Sequence, residues 1–584
     1  MTFLLNALQL LNCRLTSYIL RVLAQGLMFN GGYTSLLPIP EYGLAKLQQK
    51  DELVNLTITL KSKIVSTNVV EAFFMPSIIT ENLFFSSINI LERITSLLHT
   101  VEGLLERTVF DVYELSDKEI PEITASLSQP SGWYPLIAGY EVLPELPEEL
   151  ELPTLPPEVV DYLAQHQRIQ LEARELARIK SNLRALYEAG PGAKEVEQEE
   201  AAEVEGEEEE GVSGAHIPIP TETFLEELSV KLQIHPISVY WLLQELRAEG
   251  ARCKPEELRL LEDRLSVLVL RLLGHRWPRQ IEAGEAVPEW ADQDGIIPLI
   301  AGAGEATLAE RLRLRLRAEE GELGAQKSEA LLQELTNQSL EEWLRGKFFT
   351  RHVRQFKYRP IAWHLASAPL GGKKGSRRAP AFECLLYYHA CGVDALARLR
   401  TQYLEPLIRA ERQKEQEERR ANNDSAAALA ADRQRELEAF AEKLQAVEEE
   451  GFASPDLDKL QTGEPLDRWG GDGYLPPRNP TEFWHNERAW KVDINDGVRA
   501  NIAPLQLAGL LVSDVLKTVD AKKAIADRAR WRADERRWVR EGKLPRCGWL
   551  PEEVLESPSW TMLAPQRAAE QLKLEQKKKA LEKK

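Results

Sequence analysis

Between Arg345 and Arg378 the chain carries ten lysines and arginines and no aspartate or glutamate. The whole chain has a formal charge of −19, so this local excess stands against an acidic background. Guanidinium and ammonium groups neutralise phosphates and release counterions, which gives affinity independent of base sequence. Arginine can also read guanine edges, and aromatic rings can stack on exposed bases. Phe348, Phe349, Phe356, Tyr358 and Trp363 are interleaved with the cations. The DNA-contact candidates are therefore Arg345, Lys347, Arg351, Arg354, Lys357, Arg359, Lys373, Lys374, Arg377 and Arg378. Two plainer readings compete: a basic face that docks on an acidic partner, and a solvated face over a core packed by the aromatics. Phe348, Phe349 and Trp363 fit a core better than a stacking platform.

Other chemistry-bearing residues are less suggestive. GGKKGSRR at 371–378 lacks the order of a phosphate-binding GxxxxGK[ST] loop and reads as a basic hairpin or loop. Cys384, His389 and Cys391 lack the paired spacing and fourth ligand of a zinc site, so packed thiols and imidazole are expected. AGAG at 301–304 and the polar residues Asp292, Asp294, Asp493, Asn495 and Asp496 read as turns. Amino-group methylation needs a glycine-rich loop for S-adenosylmethionine and an [ND]PP[YF] tetrapeptide for the flipped base. Neither occurs, and Asn479–Pro480–Thr481 is the nearest approach.

The elements that must position these residues are mostly helical by periodicity. Residues 1–25 read as a buried helix that opens abruptly, which leads us to expect something upstream of it. Polar residues interrupt its apolar runs, so neither a membrane span nor a signal peptide is expected. Leu53 to Val65 shows a strand-like alternation around Leu56, Ile58 and Leu60. A helix is expected over 86–108 with Ser87 as its N-cap. Prolines between 131 and 158 favour an extended strut. A long polar helix is expected over 159–189, followed by a disordered acidic linker at 190–214. Helices resume over 221–280, starting at a capping box of Thr223 and Glu226. A turn-rich piece at 291–306 precedes two more helices, and 345–400 reads as mixed α/β. Residues 401–450 read as one long charged helix, paired with another as a coiled hairpin.

The expected fold class is thus mainly α with small α/β parts, multi-domain, with long charged helices and no methyltransferase Rossmann-like domain. The expected divisions are a target-recognition-like α/β domain at 1–130, and a Pro-rich strut, helix and acidic linker at 131–214. A helical domain at 215–345 follows, then a basic-aromatic region with a long helix at 346–450, and a C-terminal lobe and tail at 451–584. Five scattered cysteines argue against a disulfide framework and fit a reducing cytoplasm.

Several blocks resemble one family. LNCRLTSYILRVLAQGLMFNGGYTSLLPIP at 11–40 is similar to the segment after the catalytic domain of type IIG-like and BREX-type adenine methyltransferases, through Leu11, Asn12, Leu15, Tyr18, Phe29 and Leu37–Pro40. Cys13 stands where that pattern usually has serine. WLRGKFFTRHVRQFKYRPIAWHLAS at 343–367 resembles a block of the PglX-type proteins of BREX phage-exclusion systems. DGVRANIAPLQLAGLL at 496–511 with KAIADRARWRADERRWVREGKLP at 523–545 resembles their C-terminal block, and DGIIPL at 294–299 is a weaker match.

The resemblance implies a DNA-recognition portion of an N6-adenine methyltransferase of a BREX-like phage-defence or type IIG restriction-modification system, without the catalytic domain and inactive alone. It implies double-stranded DNA as partner, together with a separate catalytic chain holding S-adenosylmethionine, and possible contacts with other phage-defence proteins. No cofactor or metal is expected on this chain. The residues leave open a helical interaction scaffold without DNA, a fragment of a DISARM-type methylase, and a complete enzyme of unfamiliar type.

Overall fold

In the computed structural model, the described residues are 9–10, 12–23, 47, 49–71, 74, 84–116, 118–146, 148, 152–192, 223–300, 304–367, 379–455, 457, 487–493 and 496–540; for 20–23, 84–87, 126 and 530–540 this means the backbone alone. The acidic linker beyond 192, the LPIP run, most of AGAG, Asn479–Thr481, Asn495 and the tail beyond 540 lie outside them. The chain is mainly helical with small sheets, as its periodicity implies. Contacts divide it into two units, one of 1–68 and 76–262, the other of 69–75 and 263–584. The boundary at 262 falls inside the expected 215–345 division.

The first unit carries α1 (Arg14–Leu23), α2 (Asp51–Val65), α3 (Phe84–Val112) and α4 (Glu119–Leu127), then β1 (Leu136–Ile137), α5 (Pro157–Gln165), β2 (Arg168–Ile169) and α6 (Ala173–Ala189). It continues with α7 (Phe224–Leu232), α8 (Pro236–Ala248) and the first part of α9 (Lys254–Leu272). Residues 51–65 are a helix, not a strand. Leu53, Leu56 and Leu60 are buried at i, i+3 and i+7, while Ile58, which alternation would bury beside them, is 44% exposed. Helix α3 starts before Ser87, which therefore lies inside it.

The expected single helix at 159–189 is two. His166 turns extended, its Nε2 meets the Tyr134 carbonyl at 2.8 Å, and β2 pairs in parallel with β1 before α6 begins. Backbone pairing there outweighs helix continuation. Thr223 caps α7 by accepting the Glu226 N–H. Buried Leu183, Leu228, Val239 and Leu243 belong to one core of this unit, and Leu56, Leu60, Leu97 and Val101 to another.

The second unit adds the rest of α9, α10 (Pro278–Glu282), β3 (Ile296–Pro298), α11 (Leu308–Thr336), α12 (Leu340–Trp343), α13 (Phe349–Gln355), β4 (Ala362–Ala366) and β5 (Glu383–Tyr387). Then come α14 (Ala395–Arg398), α15 (Glu405–Arg420), α16 (Asp424–Glu450), α17 (Gly497–Leu507) and α18 (Thr518–Arg540). The expected turn-rich piece at 291–306 holds strand β3. Asp292 and Asp294 accept the N–H groups of Gly295 and Ile296 and so launch it. The sheet has the order β3-β5-β4, antiparallel throughout, with Trp363 opposite Leu386 and Leu365 opposite Cys384. Both faces of β4 and β5 are buried, which is why their sequences are almost continuously apolar. The single long helix expected over 401–450 breaks at 421–423, and its parts α15 and α16 fold back on each other as an antiparallel hairpin, with Arg433 on Glu411 and Arg412 on Glu438 across it.

Candidate nucleic-acid interface

The basic-aromatic segment begins at Ser339. Its hydroxyl accepts the Glu342 N–H, and Glu342 in turn accepts the Ser339 N–H at 2.8 Å, a reciprocal cap that starts α12. A π-helical turn over Leu344–Phe348 joins α12 to α13. The buried stripe runs Trp343/Leu344, Phe348/Phe349, His352/Val353 and Phe356. The first step is five residues and the later ones four. The wider turn keeps the apolar stripe on the core side, which an uninterrupted α-helix would rotate away. Phe348, Phe349, Phe356 and Trp363 are accordingly core.

His352 holds the end of α13 against β4. Its Nε2 accepts the backbone N–H groups of Ile361 and Ala362, both at 3.1 Å, so the ring is neutral and protonated on Nδ1. Burial, with the Arg351 charge beside it, pushes its pKa down to about 3. Past α13, Lys357 and Tyr358 both adopt positive φ, 49° and 59°. Consecutive non-glycine residues in this region are strained and require support. Support comes from the Tyr358 N–H on the Val353 carbonyl at 2.8 Å and the Arg359 N–H on the Phe356 carbonyl at 2.9 Å. The turn leaves Lys357 and Tyr358 exposed, the latter by 51%.

The ten cations are sorted by this geometry into three groups. Arg345 and Arg351 face acids of their own unit. Arg345 makes a forked pair with Glu383 on β5, at 2.6 and 3.0 Å. Arg351 reaches Asp263 on α9 at 2.6 Å and the Ser266 hydroxyl at 3.2 Å. Burial alone would raise the Glu383 carboxyl, but His364 and Arg345 together hold it below its ordinary value. Arg359 is buried. Lys347, Arg354 and Lys357 are exposed. Lys347 and Arg354 stand seven residues apart across the π-helical turn, and Lys357 with Tyr358 continues from the end of α13. Lys373, Lys374, Arg377 and Arg378 form the third group and lie outside the described residues. They belong to the connection between antiparallel neighbours β4 and β5, and its ends are fixed. The Ser367 hydroxyl and the Ala381 N–H both donate to Glu436 of α16, at 2.5 and 2.6 Å. Sequence reasoning missed these carboxylate partners, because Asp263, Glu383 and Glu436 are remote along the chain.

Cys384 is buried on β5, and the Cys391 thiol donates to the Tyr387 carbonyl at 3.2 Å. Burial raises both thiols. Among the described residues no group of three or more His, Cys, Asp or Glu is arranged to hold a metal ion, and no helix is long and apolar enough to cross a membrane.

Over 132 residues the chain is 30% identical to the adenine-specific methyltransferase BrxX of Escherichia coli O9:H4 (strain HS). That stretch is 20% of this chain and 10% of the length of the relative it matches. No family model matches the chain.

Proposed function

We propose that this chain is a DNA-contacting portion of an adenine-specific methyltransferase system of the BREX type. The observation that carries the reading is the 132-residue similarity to an adenine-specific methyltransferase. The cationic segment supports it from the chain's own chemistry. The contacting cations are Lys347, Arg354 and Lys357, with Tyr358 beside them, extended by Lys373, Lys374, Arg377 and Arg378. Arg345 and Arg351 act differently: they fix the segment that presents the others, and Arg359 is buried. Phosphate neutralisation then supplies affinity without base specificity. Catalysis and S-adenosylmethionine belong to a separate chain, and the complex acts in phage defence.

Fluorescence anisotropy of the full chain on a random-sequence duplex tests this. Affinity is expected to fall linearly with salt on logarithmic axes. Combining Lys347→Ala, Arg354→Ala and Lys357→Ala is expected to lower that slope by about 2 to 3, since each phosphate contact contributes roughly 0.9. An unchanged slope in the triple variant removes this face as the contact. Titration calorimetry with S-adenosylmethionine is expected to show no heat on this chain alone, and a saturable isotherm that free adenine does not compete away would overturn the assignment of the cofactor to another chain.

A further inference from the structure

The first unit contains a cavity of about 390 Å³, within the range of small-molecule sites. Its lining comes from residues around the start of α1, from α2, from α3, and from Glu226 on α7. Val54 and Ile58 of α2 and Leu105 and Val109 of α3 give it an aliphatic surface against which a flat ring can lie. The ionised groups are largely balanced among themselves. Lys61 reaches Glu102 at 2.9 Å and His99 reaches it at 3.0 Å. Burial works against the Glu102 charge, yet these two contacts hold its pKa down to about 2. Glu106 accepts the Arg14 N–H at 2.6 Å, with the Arg14 guanidinium 3.8 Å away.

Gln9 is different. It lines the same cavity, it is only 7% exposed, and neither its Nε2 nor its Oε1 has a hydrogen-bond partner among the described residues. Buried polar groups are nearly always bonded, so an amide with both ends unmet calls for an explanation. A primary amide presents a donor beside an acceptor. Its complement is an acceptor beside a donor, the pattern that glutamine reads on the amino edge of adenine. Glu106 adds a second group of the same kind. Burial raises its pKa to about 7, so near neutrality its carboxyl can offer a donor as well as an acceptor. With Glu106 protonated, the lining carboxylates Glu102 and Glu226 match the cations Arg14 and Lys61, so the lining has no cationic excess to hold an anionic ligand.

We propose that this cavity binds a neutral amino-substituted nitrogen heterocycle of the adenine or aminopyrimidine type, read by the Gln9 amide. The inference does not rest on the DNA reading, because it uses other residues in the other unit and a free base as ligand.

Saturation-transfer NMR on the full chain tests it with adenine and with 6-methylpurine, which keeps the ring acceptors and lacks the amine. Adenine is expected to bind, and 6-methylpurine to bind roughly tenfold or more weakly, as the loss of a paired donor and its stranded acceptor implies. Gln9→Leu is expected to weaken adenine by a similar factor. Ile58→Trp, at a half-exposed position on the cavity wall, fills the space and is expected to abolish the signal with the helical circular dichroism unchanged. Should Gln9→Leu unfold, Ile58→Trp decides alone. Absence of an adenine signal at millimolar concentration, equal signals from the two purines, or full adenine binding by Ile58→Trp would each overturn the proposal.

Discussion

Helix α3 and the segment from Arg345 to Arg359 both crowd ionisable side chains into a short stretch, and they dispose of them in opposite ways. On α3 the acids Glu92, Glu102 and Glu106 turn inward and basic groups come to them from far along the chain, while Asp111 near its end is exposed. Glu92 receives the Arg247 guanidinium of α8 in a forked pair, which also bonds the Tyr187 hydroxyl; Glu106 is met by Arg14, and Glu102 by Lys61. On the second stretch the cations divide. Arg345 and Arg351 meet acids held by β5 and α9, while Lys347, Arg354 and Lys357 point to water. A run of like charges is therefore two populations, one that fixes the backbone and one that is available to a partner. Only the partners' positions separate them. Ion pairs shielded from water act on folding, whereas exposed charges contribute little to it and act on association.

The largest effect expected from breaking this comparison is on the α3 side. Gly132 packs against α3 so closely that an added Cβ would lie 2.0 Å from the His99 carbonyl oxygen, a backbone atom that cannot swing aside. Its own carbonyl accepts the Tyr162 hydroxyl at 2.9 Å, so it is held from the other side too. Gly132→Ala is expected to destabilise the first unit by about 3 kcal/mol or more, the upper range for overpacking. Hydrogen exchange of α3 amides would register it, while amides of β4 and β5 keep their protection. The next effect belongs to the second unit. Arg345→Ala leaves the buried Glu383 without its guanidinium and is expected to cost about 3 kcal/mol. Lys347→Ala, two residues on, is expected to stay within about 0.5 kcal/mol. Chemical denaturation of the two variants compares them directly, and equal losses would dissolve the distinction between fixing and available cations.

Legibility in the sequence follows the same division. The helical bulk and the mixed region around 345–400 were readable, because each rests on local periodicity, whereas the break at 421–423 that divides the helix expected over 401–450 into α15 and α16 was not read. The error at 51–65 arose because Leu56, Ile58 and Leu60 fit period two over five residues; Leu53 and the exposure of Ile58 decide for period 3.6. The break at His166 was unreadable, since its cause is pairing with Leu136 and Ile137 some thirty residues earlier. The cationic segment was visible as composition, but the roles of Arg345 and Arg351 depend on Glu383 and Asp263, and nothing local marks those acids as partners. The cavity left no trace at all. Gln9, Ile58, His99 and Glu106 are unremarkable residues until the chain brings them together.

The most gradual effects are in pH dependence, spread over several pH units, and there the two regions should carry opposite signs. His352 has a folded pKa of about 3 against an ordinary value near 6.5. The unfolded chain therefore takes up its proton first as pH falls. Its stabilising contribution is complete above about pH 6.5 and is lost progressively toward pH 3. Protonation at Nε2 would also displace the Ile361 and Ala362 N–H groups, so the loss should appear first as exchange of those two amides. Glu106 runs the other way. Its folded pKa of about 7 lies above its ordinary value near 4.5, so its contribution is complete below about pH 4.5 and declines as pH rises to 7. Glu106→Gln is expected to flatten that decline in α3 amide protection between pH 4.5 and 7 and to leave the acid loss at β4 untouched. If instead both regions lose protection together on acidification and Glu106→Gln changes nothing, the buried carboxyl is not held near neutrality, and the contrast between an inward-facing acidic helix and an outward-facing basic one would rest on ion pairing alone.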